Sequence, residues 1–262
     1  MKVVAIGAHP DDIELGCGGA LIAHRDAGDE ITMLVMTSGA IGPGAEAERR
    51  REQEDAARIL GASLCWGGFA DGAVPDGVDA VSAIQIVVEG TGADVVYTHS
   101  VHDTHQDHRA TARATFGAAR RVSRVLCYEA PSAVGFEPSV FVDVDGLVDA
   151  KLDLVRAHLS QVLGCGLVDL DAVAAQARFR GFQARSAQAE AFEVHRFLWD
   201  VAPERSTERP AASRQPATAA WDASDPATPD DIDRARVTVG TAAHLTTTDA
   251  GTAGTHEMTE TR

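Results

Sequence analysis

The densest chemistry in this chain lies in His9, Asp11 and Asp12, within the run Gly7-Ala8-His9-Pro10-Asp11-Asp12 that follows the apolar Val3-Val4-Ala5-Ile6. If residues 9–12 begin a helical turn, His9 and Asp12 stand at i and i+3 and point the same way, while Asp11 turns about 100° aside. An imidazole and a carboxylate on one face supply most of a catalytic zinc site, and a free carboxylate beside them suits a general base. The plainer reading is that one aspartate caps a helix. A second cluster, His99, His102, Asp103, His105, Asp107, His108 and Arg109, holds four of the chain's ten histidines. Within it His105 and His108 are again three apart, with Asp107 between them. One turn could therefore bring a third metal ligand together with a further acid or base. The plainer reading there is a solvated loop without metal.

Clusters so far apart in the chain serve one site only if the fold carries them to one edge. The apolar run ending at Gly7 predicts a first strand, and residues 31–37 a second. Between them residues 18–28 carry Ala20, Leu21, Ala23 and His24 at helical spacing, which makes a right-handed crossover unit. A helix is expected over 47–60, with Arg49, Arg50, Arg51, Glu52, Glu54 and Asp55 on its solvated side. Ala56, Ala57, Ile59 and Leu60 would face inward, and Gly61 supplies the stop. Residues 63–66 read as a short strand followed by a Gly- and Asp-rich loop through Gly77. Residues 78–89 read as a helix with the stripe Val81, Ile84, Val87 and Val88, and 94–99 as the fourth strand. Later strands are expected at 124–129 and 139–144, and helices at 146–161 and 170–184. This alternation predicts an α/β, Rossmann-like three-layer fold with a mostly parallel central sheet. Such folds put ligands at the carboxyl ends of their strands, where both clusters lie.

The chain's 262 residues, 45% of them hydrophobic, suffice for one sizeable domain and a tail. We expect the domain at 1–202. From 203 to 262 the composition shifts to Pro, Ala, Thr and Asp, too poor in large apolar residues to offset its ordering entropy, and this segment reads as a disordered tail. A net charge of -16 and a pI near 4.9 argue against nucleic-acid or anionic-membrane partners and leave small molecules open. The four cysteines, Cys17, Cys65, Cys127 and Cys165, form no Cys-x-x-Cys pair, so free thiols are expected. The chain opens into a strand without a signal pattern, and no apolar stretch reaches about 18 residues, which together suggest a cytoplasmic protein.

The pairing of Ala8-His9-Pro10-Asp11-Asp12 with His105-Gln106-Asp107-His108, each behind a strand, closely resembles the PIG-L/LmbE-like family of zinc-dependent N-deacetylases. Further agreement lies in Arg49 before Glu52, Ala56-Ala57-Arg58-Ile59-Leu60-Gly61, Asp71-Gly72, Phe141-Val142-Asp143-Val144, His158-Leu159-Ser160-Gln161 and Ala189-Glu190-Ala191-Phe192. The resemblance implies one Zn2+ per chain, or another divalent transition metal, with His9, Asp12 and His108 as ligands. It implies Asp11 as general base and His105 as an imidazolium-like group facing the developing oxyanion. Asp107 would orient a histidine, with His105 as the expected partner. Arg49 and Asp71 resemble positions that hydrogen-bond sugar hydroxyls. The implied reaction is metal-assisted hydrolysis of the amide in a small N-acetylglucosaminyl-type conjugate, by a protein free to form homo-oligomers. An amidase acting on a larger-acyl thiol conjugate and a non-catalytic sugar- or metal-binding relative are the alternatives. Gln188 stands where many relatives carry an aromatic. A nucleotide-binding Rossmann protein would need Gly-x-Gly-x-x-Gly in the first turn, whereas Gly16, Gly18 and Gly19 fall inside the expected helix. His158 could reach the site or serve as a structural histidine.

Overall fold

In a computed structural model, which describes residues 1–163 and 168–199, the first apolar run forms β1 (Lys2–Gly7) inside a seven-stranded sheet. Its alternation sends Val3 and Ala5 into one core and Val4 and Ile6 into the other, the period-two signature of a strand covered on both faces. The first core joins α1 (Asp12–Asp26), α2 (Glu46–Leu60) and α5 (Val148–Arg156) to the sheet through Leu21, Ala56, Leu60 and Leu154. The second joins α3 (Val78–Thr91) and α4 (Gln106–Ala118) through Ile84, Val88, Ala110 and Ala114. The architecture is a three-layer α/β fold. A smaller cluster packs α7 (Leu170–Ala184) on α5 through Val148, Leu152, Val173 and Ala177.

The remaining strands are β2 (Glu30–Thr37), β3 (Ser63–Phe69), β4 (Val95–His99), β5 (Arg124–Tyr128), β6 (Val140–Asp143) and β7 (Ala189–Phe197), in the sheet order β3-β2-β1-β4-β5-β7-β6. The first five strands pair in parallel, and β7 runs antiparallel to both β5 and β6. Strand order reverses direction between β1 and β4. The loops leaving their carboxyl ends therefore diverge to opposite faces and open a crevice at the switch point.

Four expectations are corrected. Helix α1 reaches from Asp12 to Asp26, beyond the 18–28 stretch read at helical spacing, and is kinked at Cys17, whose φ of -143° is not helical. The turn is possible because Gly16 has no side chain: a Cβ there would run into the Tyr128 ring. On α2, Arg49 and Glu52 are buried, together with Gln53, and Ile59 is exposed. That helix turns a polar face inward because it packs on the polar loop after β1. Strand β3 continues through Gly67 and Gly68 to Phe69. The helix expected over 146–161 is interrupted: α5 ends at Arg156 and α6 (Leu159–Val162) restarts after His158, whose ψ of 62° breaks the turn. Gly61, at φ 73°, ends α2 in the left-handed conformation that favours glycine. Cys17, Cys65 and Cys127 are buried free thiols. The expected tail at 203–262 and Cys165 lie outside the described residues. Among the described residues no helix is long and apolar enough to cross a membrane.

Candidate functional site

The loop after β1 is held at several points. Ala8 N donates to His99 Nε2 at 3.0 Å, and Thr37 N, at the end of β2, donates to Ala8 O at 2.9 Å. His9 N donates to Asp12 Oδ2 at 2.7 Å, so the first residue of α1 folds its carboxylate back over the loop. Asp11 sits between them at φ 95°, a left-handed conformation uncommon for a residue with a Cβ, and its side chain makes no capping hydrogen bond. From α2, Arg49 NH2 donates to Pro10 O at 2.9 Å, and Gln53 Oε1 accepts from Asp11 N at 3.3 Å. The loop after β4 is organised by Asp103, which accepts from His105 N at 2.8 Å through one oxygen and meets His108 Nδ1 at 2.9 Å through the other. His105 caps α4, its Nδ1 accepting from Asp107 N at 3.2 Å.

These two loops meet. His9 Nδ1 lies 3.3 Å from His108 Nε2 and 3.3 Å from Asp12 Oδ2, while His108 Nε2 lies 3.3 Å from Asp12 Oδ1. Donors about 2.0 to 2.1 Å from a tetrahedral ion are separated by about 3.3 to 3.4 Å. The outer nitrogens are already engaged. His9 Nε2 stands 3.1 Å from Asp71 Oδ1 and 3.2 Å from Asp107 Oδ2, and His108 Nδ1 faces Asp103. Carboxylates that hold the outer N–H of a neutral imidazole leave its inner nitrogen with a lone pair. Two such lone pairs and the Asp12 carboxylate then face one point, an arrangement that calls for a cation. Charge tells the same story, since Asp12, Asp71, Asp103 and Asp107 surround two imidazoles. The residues present fit a divalent ion.

Without an ion, protons take up that negative excess. Burial alone would lower His9, but the hydrogen bonds to Asp107 and Asp12 and the charges of Asp12 and Asp71 lift it to about 10. His108 is likewise lifted against burial, to about 9, by Asp12 and Asp103. Burial would raise Asp12, yet His108, His99 and His9 hold it well below the usual carboxylate range. Asp11 goes the other way: burial, reinforced by the neighbouring Asp12 charge, pushes its carboxyl up to about 7 despite His158 and Arg49. Burial and the adjacent His108 and His9 lower His105. His99 falls to about 4, through burial and the charge of His108, on which its ring stacks at 3.9 Å.

All eight residues singled out from the sequence lie in or against this cluster. His9, Asp12 and His108 form its centre, and the His105 ring lies 4.7 Å from His9 and 4.6 Å from His108. Two differ in what they touch. The Asp107 carboxylate pairs with His9 and accepts from Gly72 N at 2.7 Å and Val74 N at 3.1 Å, so it does not orient the His105 ring as expected. Arg49 is only 4% exposed, and its guanidinium donates to Gly39 O and Pro10 O, 3.8 Å from Asp11 Oδ1. It braces two loops through these carbonyls, and its buried Nε has no hydrogen-bond partner among the described residues. Asp71 touches His9 and accepts from Ile41 N at 2.7 Å. His99 and Asp103 stood in the histidine cluster, but the sequence assigned them no contact. Glu14 and Gln53 went unremarked, because nothing in a helical run of charged residues marks one as buried.

The family described as PIG-L, GlcNAc-PI de-N-acetylase, matches residues 4–119, which span both loops. The uncharacterized deacetylase YaiS of Escherichia coli K12 is 35% identical over 167 residues, covering 60% of this chain and 90% of that protein. The diacetylchitobiose deacetylase of Thermococcus kodakarensis is 29% identical over 186 residues, covering 61% of this chain and 70% of that protein. Among solved structures, the conserved protein TT1542 of Thermus thermophilus superposes with a TM-score of 0.70 at 28% identity, over 76% of this chain and 96% of that one. With the fold, the paired loops and a deacetylase relative matched over nine tenths of its length, the chain belongs to the PIG-L family.

Proposed function

We propose that the protein is a Zn2+-dependent N-deacetylase that hydrolyses the acetamide of a small N-acetylglucosaminyl-type conjugate, with His9, Asp12 and His108 holding the metal. The observation that supports this reading is the pair of inner imidazole nitrogens 3.3 Å apart, each 3.3 Å from one oxygen of the Asp12 carboxylate, with the outer nitrogen of each ring held by carboxylates. The sugar class follows the diacetylchitobiose and GlcNAc-PI specificities named for relatives and family. When bound, the ion supplies Lewis acidity, making water more acidic and drawing charge from the acyl oxygen.

The chain's residues would do the rest. Asp11 takes the proton of the attacking water onto its carboxylate and returns it to the departing nitrogen, a double task suited to a carboxyl whose proton affinity is raised. Arg49 holds the peptide carbonyl before Asp11, Pro10 O, in place. With His105 Nδ1 accepting from Asp107 N, the neutral ring carries its proton on Nε2 and offers an uncharged donor to the developing oxyanion. Loss of one such donor typically costs about 10²- to 10³-fold in rate. Asp107 and Asp103 hold the ligand imidazoles in register. Asp71, beside His9 and the exposed Ile41, is the residue we assign to sugar hydroxyls.

The test is metal analysis of the purified protein combined with free-amine release from a panel of N-acetylated and longer-acylated glucosaminides. We expect one zinc per chain and release from the acetylated members. Release only from long-acyl members would make the protein an amidase of the larger-acyl kind, and bound zinc with no release from any member would make it a binding relative.

A further inference from the structure

Beneath the metal cluster lies a second buried group that the proposed reaction leaves unused. Gln53 Nε2 donates to Glu14 Oε1 at 2.6 Å, His158 Nε2 lies 3.3 Å from that same oxygen, and Gln53 Oε1 accepts from Asp11 N. Glu14, Gln53 and His158 are each 0% exposed, so none of them can touch a substrate. They come from three separate elements: Glu14 from the first turn of α1, Gln53 from α2, and His158 from the break between α5 and α6.

We infer that Gln53, oriented by Glu14, is a positioning residue for Asp11, acting through the backbone N–H of that left-handed aspartate. A glutamine amide has one donating and one accepting end. A carboxylate accepts only, so Glu14 takes the donating end and leaves the accepting end for Asp11 N. His158 stands opposite the same carboxylate and gives this buried charge a partner. Arg49 and Gln53, one turn apart on α2, thus hold consecutive groups of the loop, Pro10 O and Asp11 N. Asp11 makes no capping bond of its own and occupies a conformation that persists only when its surroundings over-determine it. The inference rests on the reading of Asp11 as the proton-transferring group.

The test uses the zinc-loaded full chain with Glu14→Gln, Gln53→Leu and the exchanged pair Glu14→Gln with Gln53→Glu. Glu14→Gln keeps size and shape but can offer either end of an amide, so the direction of Gln53 is no longer set. We expect kcat to fall about tenfold, the factor for losing one hydrogen bond of ordinary worth, with KM and zinc content unchanged. Hydrogen exchange of the Asp11 amide, read by NMR, should quicken by a similar factor. Gln53→Leu should match or exceed these effects. In the exchanged pair, the amide now at position 14 donates to the carboxylate now at position 53, whose other oxygen accepts from Asp11 N. Both kcat and slow exchange should then return; a packing role would give no such rescue. Wild-type kcat and exchange in both single variants, or an exchanged pair as impaired as its parents, would overturn the inference. Asp11→Asn separates the two readings: full turnover there removes Asp11 as the base, whereas lost turnover beside unaffected Gln53 variants removes only the positioning role.

Discussion

Helix α1 is touched by two buried clusters of charge, one at its first turn and one at its kink, and they differ in balance. At the kink, Glu190 accepts from Gly19 N at 2.8 Å, Ala20 N at 2.7 Å and Lys151 Nζ at 2.6 Å, while Lys151 also donates to Leu15 O at 2.7 Å. One cation meets one anion there, and the backbone groups released by the break at Cys17 are taken up by them. At the first turn, four carboxylates meet the imidazoles of His9 and His108, and three donors face one point. Burial and charge are common to both clusters. What separates a structural pair from a candidate site is the unmet demand for a cation.

If that distinction holds, the two clusters should fail differently. His9→Ala and Asp12→Ala should lose bound metal and turnover together. Asp11→Ala should keep one zinc per chain and lose about 10²- to 10⁴-fold in rate, the range for a general acid or base; near wild-type turnover in a metal-verified Asp11→Ala protein would contradict the assignment. Lys151→Ala should act on stability, costing about 3 to 5 kcal/mol by leaving Glu190 buried and unpaired. Denaturant titration would read that loss, and the folded fraction should retain its zinc. Asp103→Asn should weaken metal affinity about 10- to 100-fold, as expected when the outer partner of a ligand imidazole is neutralised, without unfolding the protein.

The smallest and most graded effect is in pH. In the metal-free protein His9 and His108 titrate near 10 and 9, above the ordinary 6.5. Their stabilising contribution is therefore complete below about pH 6.5 and fades as pH rises through the folded values. Metal uptake must displace those protons, so apparent affinity should rise about tenfold per pH unit for each proton released, and level off above about 9 to 10. A calorimetric titration in buffers of different ionisation enthalpy would count the protons. Release of none would break the link between the negative excess and the ion.

Much of the candidate site's geometry could be read from spacing, because His9 and Asp12 in one loop and His105 and His108 in the other stand three apart, and both loops follow parallel strands. The strand and helix alternation carried the layer order for the same reason. The polar inner face of α2 was not legible: hydropathy assigns Arg49, Glu52 and Gln53 to solvent, and only the folded loop after β1 makes that face an interior. The Asp107 partner also escaped, since neighbours in sequence suggested His105 while the fold brings in His9 from the other loop. The break at His158 has no Gly or Pro to announce it. The kink at Cys17 was veiled by three glycines that permit many backbones and specify none.

One of those glycines has a reach beyond its own helix. The Tyr128 hydroxyl donates to Ile6 O at 2.8 Å, its ring lies 4.8 Å from that of His99, and His99 stacks on His108. Position 16 is thus the floor of a column of rings whose top is a candidate ligand. A single methyl group added at that floor would press on the Tyr128 ring and, through it and His99, on the candidate ligand two rings higher.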